Sequence, residues 1–275
     1  MRVVWSYSVF GKNQSRYYKP LLQNFEIARK NGIQILLSTT DTYQQSVNEY
    51  FSEYSDVYTL FVYDSAEYKG REEFLRFLSV GSAEADYYFF KDSDSYVDDR
   101  EQFIMNHWMM YSGSPLFIIR DSPVHVAPIL AGMFGIHSDL RDELCTSCRG
   151  YMSNEGRTAF YGNDQRWLAE CIYPAYRHRS SVYTSYFSFC SERVTILPRV
   201  KEQAMHIGAF ELNHTDHGST GKIFFRIYGN KMLCIPFLRL PALFFRLLYG
   251  RVWPTILIAR FLGVFRKNVY QVKLS

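Results

Sequence analysis

Apolar and polar positions along the first ninety residues fall into blocks of two alternating kinds. Residues 2–9 (RVVWSYSV) form a continuous apolar run rich in β-branched and aromatic side chains, broken at Gly11-Lys12-Asn13, as expected of a parallel strand buried on both faces. Pro20 then opens a stretch with Leu21, Leu22, Phe25 and Ala28 at helical spacing, which Asn31-Gly32 closes. The alternation repeats: strand 33–38, helix around 43–54, strand 57–63, helix around 72–80, strand 87–90. Strands separated by a dozen or so helical residues predict right-handed βαβ units and a mostly parallel sheet covered by helices on both faces. Beyond Asp94 the rhythm loosens into a helix at 100–111, a strand at 116–119, a glycine-containing apolar stretch at 128–136 and a helix near 163–171.

Composition narrows the class. With 275 residues, 47% of them hydrophobic and 21% charged, the chain is long and apolar enough for one large core, and intrinsic disorder is excluded. The net charge of +4 hides an asymmetry: residues 222–275 carry ten Lys and Arg and no Asp or Glu, which leaves 21 basic against 27 acidic residues, or −6, for residues 1–221. Five cysteines form no even framework, so they read as thiols in a reducing compartment. Cys145-Thr-Ser-Cys148 lacks a second pair at zinc-finger distance and is assigned to a helix. The N-terminus has no apolar core of signal-peptide length and reads as the first strand of a cytosolic domain.

Open α/β sheets place ligands outside the carboxyl ends of the strands. That rule selects Ser6–Ser8, Ser38–Asp41, Tyr63–Ser65 and Lys91–Asp94, with Ser6 and Tyr7 as donor-binding candidates on the first strand. The run Tyr87-Tyr88-Phe89-Phe90-Lys91-Asp92-Ser93-Asp94-Ser95 is the most informative. Carboxylates at i and i+2 of an extended strand share a face, so Asp92 and Asp94 can aim oxygens at one hard divalent cation that bridges nucleotide phosphates. Turn or cap roles are the alternative, and Asp98-Asp99-Arg100-Glu101 resembles a capping box for the following helix. An Asp-x-Asp after an apolar strand also occurs in the haloacid-dehalogenase phosphatases, where the first Asp is a nucleophile. Those enzymes carry the motif near the start of the domain and follow it with Thr, whereas here three βα units precede it.

Further segments form an ordered set: Gly70-Arg71-Glu72-Glu73-Phe74-Leu75-Arg76-Phe77, Arg120-Asp121-Ser122-Pro123-Val124-His125, Pro128 to Gly135 with Gly132-Met133-Phe134-Gly135, Gly162-Asn163-Asp164-Gln165, and His206-Ile207-Gly208. Together with the carboxylate strand, this set resembles the metal-dependent GT-A glycosyltransferases, in particular bacterial and large-virus sugar transferases of surface polysaccharide synthesis. The resemblance covers residues 2–215. It implies a GT-A domain over 1–221 and a nucleotide-diphosphate sugar donor. Asp92, Asp94 and His206 would bind Mn²⁺ or Mg²⁺, with Arg76 near the donor and Gly208 letting a backbone amide approach phosphate. It also implies Asp164 as the group taking the acceptor's proton, with Asp121 as the competing base, and His125, Gly132 and Gln165 on the side of a glycan or glycolipid acceptor. Asn163 is expected to cap the helix that presents Asp164. Tyr96 stands where relatives often have a basic residue and Ser122 where they have a second His, so donor and acceptor identity do not carry across.

Residues 232–265 are strongly apolar but interrupted by Arg239, Arg246, Arg251 and Arg260 and by three prolines, with no uncharged run near the ~18 residues of a spanning helix. Pro241 and Pro254 each suit the first position of a short helix, and the basic residues tend to one side. The tail, 222–275, therefore reads as an amphipathic helical extension lying on an anionic membrane surface at its cytoplasmic face. Packing of its apolar side on protein is the alternative. Its Leu, Ile and Phe density does not suit a nucleic-acid groove. A metal-dependent phosphatase and a non-catalytic membrane-bound scaffold remain as alternatives to the transferase.

Overall fold

The computed structural model describes residues 1–11, 14–121, 127–153, 162–185, 188–189, 192–197 and 207–208, together with strand backbone at 233–235, 238–240 and 270–271. Strand β1 (Val3–Ser8) is buried from Val4 onward, which is why it reads as one apolar block rather than an alternation. A short α1 (Gln14–Tyr17) leads into α2 (Lys19–Asn31). Pro20 occupies the first turn of α2, and Gly32 ends it at φ 63°, where the Ile33 N–H turns back to the Ala28 carbonyl at 2.9 Å. Then follow β2 (Gln34–Thr40), α3 (Asp41–Tyr50), β3 (Tyr58–Tyr63), α4 (Leu75–Ser79) between two 3-10 turns, β4 (Tyr87–Asp92), α5 (Asp99–Tyr111) and β5 (Leu116–Arg120). The predicted alternation is present throughout this half.

The second half departs more from the sequence reading. The glycine-containing stretch yields β6 (Met133–His137), and α6 (Arg141–Met152) carries Cys145 and Cys148 as buried thiols. Helix α7 (Asn163–Trp167) runs through a π-helical turn at Leu168–Ile172 into α8 (Tyr173–Tyr176), followed by β7 (Ser180–Thr184) and β8 (Arg193–Ile196), two strands the sequence reading did not place.

Nine strands make one sheet in the order β11-β8-β7-β5-β6-β4-β1-β2-β3, in which β11 is Tyr270–Gln271. All neighbours are parallel except β6, which runs antiparallel to both β4 and β5. Because β2 and β3 lie on one side of β1 and β4 on the other, the topology switches between β1 and β4, and their carboxyl ends open a crevice. Alternate residues feed two cores. Val4, Leu36, Tyr88 and Phe90 face α4, α6 and α7, while Trp5, Tyr7, Ile35, Leu37 and Phe89 face α2 and α5.

In the tail, β9 (Leu233–Ile235) and β10 (Leu238–Leu240) pair antiparallel, and β11 pairs parallel with β8. These eight residues are extended, so the expected amphipathic helix is not formed over 233–235 and 238–240. The rest of the tail lies outside the described residues. No described helix is long and apolar enough to cross a membrane.

Candidate active site

Strand β4 delivers Asp92 to the carboxyl edge of the sheet, beside Ser8 of β1 in register. Across the crevice, α4 presents Arg76, whose residue is only 5% exposed. Its Nη1 donates to Asp92 Oδ1 at 2.5 Å and to the Lys91 carbonyl at 2.8 Å, and its Nη2 donates to Asp164 Oδ2 at 2.7 Å. One guanidinium thus joins two carboxylates that are 72 residues apart in the chain. Burial opposes the charge on Arg76, but Asp92 and Asp164 more than offset it and raise its affinity for the proton. Asp164 is pushed above the usual carboxylate range, by burial first and then by the charge of Asp92, against the pull of Arg76.

Arg76 is itself held from β1. Ser6 Oγ donates to its carbonyl at 2.7 Å, and its N–H donates to Ser8 Oγ at 2.8 Å. This corrects the expectation for Ser6 and Tyr7. Both are completely buried; Ser6 braces α4, and the Tyr7 ring points into the layer of α2, beside Asn24. They form the wall behind the crevice rather than a surface for a donor.

The loop after β4 is fixed from three sides. Buried Asn24 of α2 donates Nδ2 to the Ser95 carbonyl and accepts the Val97 N–H on Oδ1, each at 2.9 Å. Ser95 Oγ donates to the Gly208 carbonyl at 3.2 Å. Arg16 of α1 donates to Asp94 Oδ2 through Nε at 3.1 Å and Nη2 at 3.0 Å. Burial and the Asp92 charge push the Asp94 carboxyl up, and Arg16 opposes them. The expected cap is present, with Asp98 accepting the Glu101 N–H at 2.7 Å. Glu101 does not complete the box, because its carboxylate turns inward to pair with buried Lys91.

Other expected residues take different places. Gly132 packs on the carboxylate: a Cβ there would lie 2.1 Å from Asp92 Oδ2 and 2.8 Å from the Asp92 backbone N. Gly208, at φ +83°, lies against Met133, whose Sδ would be 2.7 Å from a Cβ at this position. Asp121 is entirely buried; Arg100 donates to both its oxygens at 2.7 and 3.1 Å, Ser185 Oγ donates to it, and the Ile207 N–H reaches it at 3.2 Å. Its neighbour Arg120 turns away to a buried pair with Glu192. Gly162, in the left-handed conformation, is the cap of α7, and Asn163 is its first residue; Asp164 accepts the Gln165 N–H at 2.7 Å. Arg71 bonds the Met152 carbonyl at 2.8 Å, away from the crevice. His125 and His206 lie outside the described residues.

The sequence reading missed Glu73, Asn24 and Arg16. Only Glu73 carried a signal, as an acidic residue three positions before Arg76 in a segment already singled out. Among the described residues no group of three or more His, Cys, Asp or Glu could hold a metal. Asp92 at the end of β4 and Asp94 in the turn after it set two carboxylates close together in the chain, hard oxygen donors of the kind that suits Mn²⁺ or Mg²⁺ with substrate oxygens and water completing the shell.

No protein-family model matches the chain. No curated protein matches it either. Among solved structures, it is similar to a mannosyltransferase from Pyrobaculum calidifontis in complex with GDP-Man and Mn²⁺, at TM-score 0.51 and 12% identity over 94% of this chain and 73% of that one. It also matches a glycosyltransferase involved in glycosylation of the major capsid of PBCV-1, at TM-score 0.47 and 15% identity over 66% of this chain and 81% of that one. A third match is 4-diphosphocytidyl-2C-methyl-D-erythritol synthase from Anaerococcus prevotii, at TM-score 0.45 and 8% identity over 81% of this chain and 94% of that one. The fold is of the GT-A type: a mostly parallel sheet flanked by helices, with one antiparallel strand beside the carboxylate strand. At these identities the likeness is one of fold, and the chemistry has to be argued from the site.

Proposed function

We propose that the chain is a glycosyltransferase that moves a sugar from a nucleotide-diphosphate sugar to a hydroxyl of a glycan or glycolipid. The observation that carries this reading is the Arg76 bridge, which ties a carboxylate at the end of β4 to a second carboxylate on α7 across the crevice. Asp92 and Asp94, with His206 two positions before Gly208, are the proposed ligands of a Mn²⁺ or Mg²⁺ that would stabilise the departing diphosphate by Lewis acidity.

Asp164 is the proposed base. As the acceptor oxygen bonds to the sugar's anomeric carbon and the bond to the diphosphate breaks, the acceptor's proton passes to an Asp164 oxygen. Arg76 favours the ionised form of Asp164, opposing the upward push of its burial, and holds it in a fixed orientation. A closed wall of Ser6, Tyr7 and Phe90 limits water behind the crevice. The tail, with ten basic and no acidic residues over 222–275, is proposed to bring the enzyme to an anionic membrane at the cytoplasmic face, where a lipid-carried acceptor would be met.

A panel of nucleotide sugars scored by Mn²⁺-dependent thermal shift, followed by turnover of the best binder, tests the reading. One donor is expected to stabilise the protein only with the cation, and Asp92→Asn with Asp94→Asn is expected to abolish both effects. Undiminished transfer by that double variant would overturn the metal assignment. Flotation with anionic vesicles after truncation at Gly221 tests the tail: retained binding would overturn the membrane role.

A further inference from the structure

Three carboxyl groups interact electrostatically with the Arg76 guanidinium, and two of them are bonded to it. Asp92 and Asp164 take Nη1 and Nη2. The third, Glu73, lies in the 3-10 turn Glu72–Phe74 one turn before Arg76, with its backbone carbonyl near Ser8 Oγ at 3.4 Å. Its Oε1 is buried and has no hydrogen-bond partner, and Arg76 Nε is likewise buried and unpartnered. Two complementary orphans on one turn require an explanation, because an ionised oxygen left without a donor in the interior is costly.

Charge balance supplies one. If all three carboxyls were ionised, the single guanidinium would face three negative charges in a low-dielectric wall. A proton on the unbonded member relieves this and leaves Arg76 wholly committed to Asp92 and Asp164. We propose that Glu73 is the proton-holding partner of Asp164, an acid–carboxylate pair divided around Arg76 in which Glu73 stays neutral so that Asp164 remains the ionised base. Glu73 is thus a positioning residue. The proposal rests on the reading that Asp164 takes the acceptor's proton. Ionisation of Glu73 would give Arg76 Nε a competing anionic partner and draw the guanidinium away from Asp164.

The electrostatics agree. The Glu73 carboxyl is pushed up to about 7, by burial first and then by the charge of Asp164, with Glu72 adding to the effect and its own backbone N–H and Arg76 opposing it. A carboxyl whose folded value lies above its ordinary 4.5 contributes stability at low pH that is lost as the pH rises through about 7.

The test compares wild type with Glu73→Gln and Glu73→Ala. Urea midpoints without substrate, from pH 5 to pH 8.5, are independent of any activity; the Gln variant is expected to gain on wild type as the pH rises from 5 towards about 7 and the difference to level off above it, and a difference flat across the whole range would overturn the proposal. In turnover with the best nucleotide sugar, wild-type kcat is expected to fall about tenfold per pH unit above the Glu73 ionisation. Glu73→Ala and Glu73→Gln, both permanently neutral at this position, are each expected to keep most of the kcat seen near neutral pH and to lose the alkaline fall, with little change in KM. An alkaline fall unchanged in the Gln variant would overturn the assignment. Should the variants not fold, a carboxyl ¹³C titration of the wild type decides: a Glu73 resonance titrating in the ordinary glutamate range refutes it. An active Asp164→Asn variant would remove the base reading while leaving the stability and titration results to stand or fall separately.

Discussion

Replacing Gly132 by alanine tests the link between loop geometry and the carboxylate most directly. The added carbon would lie 2.1 Å from Asp92 Oδ2, 2.3 Å from Asp92 Cγ and 2.8 Å from the Asp92 backbone N. A flexible carboxylate could swing away, but the backbone N belongs to the last residue of β4 and is held by its pairing with β1, so rotation of the side chain alone does not relieve the clash. Overpacking of this kind costs about 1–3 kcal/mol. Displacing Asp92 also breaks its contact with Arg76, but the Asp92 side chain is 44% exposed and water replaces part of that bond, so the overpacking figure stands as the whole expectation. At roughly 1–3 kcal/mol per molar urea, the unfolding midpoint should fall by about 1 M. Gly150→Ala is the control: nothing lies within 4 Å of its added carbon, and an exposed helical position should gain about 0.5–1 kcal/mol. Metal-dependent donor binding by Gly132→Ala should weaken at least tenfold while the control binds as wild type does. A Gly132→Ala protein as stable as wild type would refute the close approach. One that is destabilised yet binds donor and cation normally would refute the role of Asp92.

Two further outcomes follow from the buried ion pairs. Arg76→Ala leaves Asp164 buried without its counter-charge and should cost about 3–5 kcal/mol in urea unfolding. Arg76→Lys keeps the charge but cannot serve Asp92 and Asp164 together, so it should retain more stability than the alanine variant while losing turnover; equal loss in both variants would argue against a role for the fork geometry. Asp121→Asn should be destabilised in urea unfolding by less than the about 3–5 kcal/mol of a fully broken buried pair, because Arg100 loses the charge of Asp121 but keeps Ser185 Oγ and the nearby charge of Asp98. Full stability with abolished turnover in that variant would instead make Asp121 the base.

The regular elements of the first half were legible because each is governed by a local rule. Continuous apolar blocks gave β1, β2 and β4, helical spacing gave α2 and α5, and Pro20 and Gly32 marked the ends of α2. The strands β7 and β8 were missed because SSVYT and RVTI are short and carry few large apolar side chains; what makes them strands is their pairing with β5 and with each other. The extended pieces of the tail at 233–235 and 238–240 carried no strand signal of their own, since an apolar run with prolines fits a hairpin or short helices equally until a partner strand is known, and the short helices expected from Pro241 and Pro254 lie outside the described residues.

At the site the division is sharper. The sequence alone placed Asp92 at a strand end and Arg76 and Asp164 on helices, but the two-residue period it applied to Asp92 and Asp94 does not hold, because β4 ends at Asp92 and Asp94 sits in the turn that follows, paired with Arg16. It could not say what each would touch. Periodicity fixes the face a residue occupies, whereas partners are set by how helices and loops distant in sequence pack against that face. Only the tertiary structure therefore decided that Arg76 joins Asp92 to Asp164, that Gly132 lies under the carboxylate, that Ser6 and Tyr7 are sealed inside, and that Glu73 Oε1 is buried without a hydrogen-bond partner.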